Sequence, residues 1–138
     1  MGAAALIDDQ ELVDWSMFAR TRAELGAGFV RILGYFREDG EKAISQIEEA
    51  MQRRDTAGLV RPAHTMKSEA RQFGAEELGA IAEEIELAGR RAVESGLFPD
   101  HLVPEVARLD PLAQLLRYRS WQFEQDVLIM IAPLLAWS

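Results

Sequence analysis

Apolar residues recur at intervals of three and four along most of the chain, the period of helices lying against a core. No segment alternates apolar and polar residues for long enough to make a strand, so the pattern predicts an all-α fold. Leu12, Val13, Trp15 and Phe18 predict a short amphipathic helix over about 9–18. A second begins after Thr21, carries Leu25, Phe29, Ile32, Leu33 and Phe36 on one face, and is expected to end at Asp39-Gly40, glycine being a natural C-terminal cap. Helical periodicity resumes over about 41–53, with Ile44, Ile47 and Met51 inward and acids early in the helix, where its dipole favours them. Asp55 or Thr56 caps a fourth helix over about 56–73, closed by Gly74; Pro62 lies deep inside it and predicts either a kink or a later start. The fifth, about 76–94, turns Leu78, Ile81, Ile85 and Ala88 or Ala92 inward and closes at Ser95-Gly96. From about 102 a last helical region follows, with Leu109, Leu112, Leu115 and Leu116 inward and Pro104 and Pro111 as expected boundaries or bends.

The run 127–137 is apolar around its whole circumference and too short for a comfortable membrane span. It must be covered, either by completing the core or by a homodimer contact with a second copy. The 138 residues are enough for a single domain with its own core, expected to span 1–138. Without cysteine there is no thiolate chemistry and no zinc-thiolate site. The first six residues lack a basic segment and run into Asp8-Asp9, so no signal peptide is expected and the reading is cytoplasmic, without membrane insertion. A formal charge of −8 argues against nucleic acid as a partner, although a local basic patch can still attract an anion.

That patch surrounds His64. At about 100° per residue, Leu59, Met66, Ala70 and Phe73 cluster within roughly 60° of one another and about 120° or more from His64. The histidine therefore faces water, with Lys67 at i+3, Ser68 at i+4 and Arg71 at i+7 on its own face. A neutral imidazole is a nucleophile near neutral pH, and a phosphoryl group on it would need cationic partners. Lys67 is one turn away and can supply one, Arg71 is better placed to steer an acidic partner, and Gln72 is a candidate hydrogen-bond donor. No glycine-rich nucleotide loop is present, so phosphorylation of the chain by itself from ATP is not expected. His101 reads as an ordinary loop residue, and no metal-ligand spacing accompanies His64, so no metal site and no cofactor are expected. The acid pairs Asp8-Asp9, Glu48-Glu49, Glu76-Glu77 and Glu83-Glu84 read as solvated charges and helix-dipole complements.

His64, Lys67 at +3, the small Ser68 at +4, then Phe73-Gly74-Ala75 and Leu78 resemble the signature of histidine-containing phosphotransfer (HPt) domains, which usually read His-x-Leu-Lys-Gly and then Gly-Ala. Met66 replaces the usual leucine, and Ser68 and Glu69 stand where the family often has glycine and a small residue. The resemblance implies an antiparallel four-helix bundle, supplied by about 41–138, with short additional N-terminal helices over about 9–39 covering one end. It further implies a phosphorelay intermediate, not an enzyme with kinase activity of its own. His64 would be the phosphoacceptor and Lys67 would stabilise the phosphoryl group, with Arg61, Ser68, Arg71 and Gln72 at the partner-binding surface. The partners implied are response-regulator receiver domains and a hybrid histidine kinase, the divalent metal being the receiver's. Thr65 follows His64 where histidine-kinase dimerisation helices place an acid, which argues against an autokinase. The alternatives are a non-catalytic helical adaptor for receiver domains and a homodimeric helical interaction module.

Overall fold

The computed structural model describes residues 13–135, with side chains described for 13–123 and 125. Among them there is no strand. Five α-helices follow one another: α1 (Trp15–Leu25), α2 (Phe29–Arg53), α3 (Thr56–Gln72), α4 (Glu76–Ser95) and α5 (Val103–Leu135), with 3₁₀ turns at Gly26–Gly28 and Asp100–Leu102. Helices α2 to α5 form an antiparallel four-helix bundle. Each turn has its own chemistry. Between α2 and α3, Arg54 takes a left-handed conformation and the Asp55 carboxylate accepts the Gly58 N–H at 3.0 Å. Arg54 then reaches the connection before α5, pairing with Asp100 at 2.8 Å and lying over the Phe98 ring. Between α3 and α4 the chain reverses through Gly74 at φ 75°.

The core runs along the bundle axis, where Ile47, Leu59, Ile85, Leu109 and Leu112 are buried. At one end Phe18 of α1 meets Trp15, Phe29 and Phe123 with ring centroids 5.1–5.4 Å apart. Two hydrogen bonds fasten α1 over the α3–α4 turn: the Asp14 N–H donates to the Gly74 carbonyl and the Thr21 hydroxyl to the Gln72 carbonyl, both at 2.7 Å.

Several expected boundaries move. The break expected between Phe18 and Thr21 is absent, because α1 continues to Leu25 and the chain turns instead at Gly26–Gly28, where Gly26 has φ 55°. Asp39-Gly40 does not end a helix. α2 runs through it for 25 residues, because Phe29, Leu33, Phe36, Ala43, Ile44, Ile47 and Ala50 form one unbroken buried face. Burial of that face outweighs the roughly 1 kcal/mol a mid-helix glycine costs. The first helix of the bundle therefore begins at Phe29, upstream of the expected boundary at 41, and α1 is the described N-terminal helix that covers its end. Pro62 does not delay α3, which is capped by Asp55 and starts at Thr56. Pro104 sits in the first turn of α5, where its missing N–H costs nothing, but Pro111 lies well inside and ends nothing. Residues 9–12 of the first expected helix lie outside the described residues, as do the side chains of the apolar run 127–137, expected to complete the core or to make a dimer contact.

Candidate functional site

The inward face of α3 determines what its outward face presents. Leu59, Ala63, Met66 and Ala70 are buried, which turns His64 toward the edge shared with α4 and leaves its side chain 55 % exposed. Along that edge the two helices approach closely because α4 carries glycine there. A Cβ on Gly89 would stand 3.2 Å from Val60 Cγ2, and one on Gly79 would stand 3.3 Å from Arg71 Cγ.

Between them lies Glu86, with a side chain only 4 % exposed. Its Oε2 is 2.8 Å from His64 Nδ1 and 2.9 Å from Arg90 Nη2, and its Oε1 is 2.6 Å from Lys67 Nζ. Burial pushes this carboxyl upward, but its hydrogen bonds with Lys67, Arg90 and His64 outweigh burial and hold it at about 2. An ionised carboxylate only accepts, so His64 Nδ1 is the donor in their contact. In the neutral ring the lone pair then resides on Nε2, the nitrogen turned away from Glu86. The result is a half-exposed imidazole with its free lone pair on Nε2, a buried anion at its other nitrogen, and two cations on that anion.

The other predicted residues disperse. Ser68 is exposed one turn from His64. Arg71 is hydrogen-bonded to Glu83 of α4 at 2.7 Å. Arg61 lines an open groove with Asp39, Lys42 and Thr65 on the α2 side of α3. Gln72 stands eight residues beyond His64, about 12 Å along the helix axis, beside α1, which it holds through its carbonyl. The structure thus joins His64 with Lys67 and adds Glu86 and Arg90, neither of which the sequence reading singled out. One signal was available: Glu86 follows Ile85 and shares the buried face of α4 with Ala82 and Gly89, an unusual place for an acid, and Arg90 is four residues on.

A second buried-acid feature lies off this face. Glu69, partly buried on α3, hydrogen-bonds with Asp39 of α2, and burial followed by the Asp39 charge pushes it up to about 7.

Residues 31–118, more than half of the chain, match the family described as Hpt domain. Among solved structures, histidine-containing phosphotransfer protein B (HptB) from Pseudomonas aeruginosa PAO1 has the same fold, with a TM-score of 0.58 and 23 % identity over 78 % of this chain and 96 % of that one. No curated protein matches.

Proposed function

Since this chain belongs to the Hpt domain family, whose members are phosphotransfer carriers in phosphorelays rather than kinases, we propose that His64 is its phosphoacceptor and that Nε2 is the atom modified. The observation that carries this reading is the exposed imidazole whose Nδ1–H is held by buried Glu86. The donor is an aspartyl phosphate on a receiver domain. The Nε2 lone pair attacks phosphorus, an N–P bond forms, the acyl-phosphate P–O bond breaks and the aspartate leaves as a carboxylate. The hydrogen on Nδ1 stays in place, and Glu86 faces the positive charge the ring acquires. Transfer to a second receiver aspartate reverses these steps. The divalent metal belongs to the receiver, and this chain contributes a positioned nucleophile with Lys67 beside it.

Receiver docking surrounds His64. Ser68 is small enough to leave the ring accessible, and Arg71 with Glu83 forms a polar rim one turn further on. Arg61 and Gln72 meet the partner at the margins.

Incubation with phosphorylated receiver domains, followed by mass spectrometry at neutral and acidic pH, tests the reading. An acid-labile phosphoryl addition at His64 is expected, and it should be lost in His64→Gln while binding is retained. Binding without transfer from any receiver would assign the chain an adaptor role instead.

A further inference from the structure

Both cations beside His64 are already committed to Glu86. Lys67 Nζ lies 2.6 Å from one carboxylate oxygen and Arg90 Nη2 lies 2.9 Å from the other, which also receives His64 Nδ1. A phosphoryl group on Nε2 would want the same two cations. Glu86 cannot release them cheaply, because a carboxylate 4 % exposed has almost no water to replace them. We infer that Glu86 withholds Lys67 and Arg90 from the phosphoryl group and thereby determines how long the phosphohistidine survives. The inference rests on His64 being the phosphoacceptor.

Two consequences act in one direction. The phosphoryl oxygens receive only a share of each cation, so their charge is incompletely neutralised. The Glu86 carboxylate also holds the hydrogen on Nδ1, which lets the ring depart as neutral imidazole when the N–P bond breaks. Both favour a short-lived, readily transferred group. Glu86 is thus a positioning residue acting through His64, Lys67 and Arg90.

The test compares wild type, Glu86→Gln, Lys67→Ala and the double variant, each phosphorylated with phosphoramidate, whose P–N bond breaks with loss of ammonia. The decay of the phosphohistidine is followed by phosphorus NMR. Glutamine keeps an acceptor for Nδ1 but surrenders its claim on the cations, so the Glu86→Gln half-life should lengthen by about threefold or more. Lys67→Ala should shorten the half-life more in the Glu86→Gln background than in wild type, a coupling that loss of packing would not produce. An unchanged or shorter half-life in Glu86→Gln, or independent effects of the two substitutions, would overturn the inference. No phosphoryl uptake at His64 by the wild-type protein would overturn the phosphoacceptor reading itself, and this inference with it.

Should Glu86→Gln not fold, wild type decides through NMR contacts of the Lys67 and Arg90 side chains. These contacts to Glu86 should persist after phosphorylation. Their complete transfer to the phosphoryl group would sink the competition.

Discussion

A carboxylate that retains its charge while nearly buried stabilises the fold only for as long as its cations stay with it. For Glu86 the ordinary value of 4.5 falls to about 2 in the folded chain, so its contribution is complete above pH 4.5 and disappears as pH falls from 4.5 toward 2. That difference corresponds to stability on the order of 3 kcal/mol. Denaturant titrations of wild type and Glu86→Gln should therefore differ most near pH 7 and draw together as pH falls below 4.5 toward 2; a gap independent of pH would contradict the assignment. Glu69 has the opposite sign. Raised to about 7, it holds its proton more tightly in the folded chain, so stability is lost as pH rises from 4.5 through 7. Glu69→Gln should match wild type at pH 4 and melt higher at pH 8, and equal melting temperatures at both would exclude a penalty from the ionised pair with Asp39. His64 was legible in the sequence because outward orientation depends only on the period of its own helix. Glu86 was not, because a charge on an apolar face gains meaning only from the helix packed against it.

At the scale of elements, turns divide into those demanded by backbone conformation and those suggested only by residue type. Gly74 is demanded: φ is 75°, and a Cβ there would stand 2.6 Å from the Asp14 carbonyl oxygen. Gly74→Ala should cost about 2 kcal/mol or more in chemical denaturation, combining a strained left-handed residue with displacement of α1. A loss below about 0.5 kcal/mol would show that α1 can shift freely. Gly40 is the contrary case, since a Cβ there meets nothing within 4 Å and the helix passes straight through. Glycine marks a helix end in both places on sequence grounds, and only packing separates them. Prolines divide in the same way: Pro104 occupies a first turn, whereas Pro62 and Pro111 lie inside helices whose buried faces outweigh the lost hydrogen bond.

In the molecule as a whole, the Hpt match over 31–118 leaves out α1 and the far part of α5, the two segments that meet in the aromatic cluster around Phe18. Phe18 is fully buried and has Phe29 and Phe123 as neighbours, so Phe18→Ala should cost about 3–5 kcal/mol. His64 and Glu86 lie outside this cluster, and phosphoryl uptake measured well below the lowered melting temperature should stay near that of wild type; its loss would mean that α1 reaches into the site. Among the described residues, no helix is long and apolar enough to cross a membrane. The sequence alone determined the all-helical class, the inward face of each helix, the outward histidine with Lys67 beside it, and the helix ends at Gly74 and Gly96, and it narrowed the cap between α2 and α3 to Asp55 or Thr56. These follow from spacing and residue chemistry within one segment. Only the tertiary structure decided that α2 is continuous, that α1 is fastened over the α3–α4 turn, that Arg71 belongs to Glu83, and that Glu86 and Arg90 stand behind the imidazole. Each of those depends on side chains from different helices competing for the same buried space and the same charge, which no single period along the chain encodes.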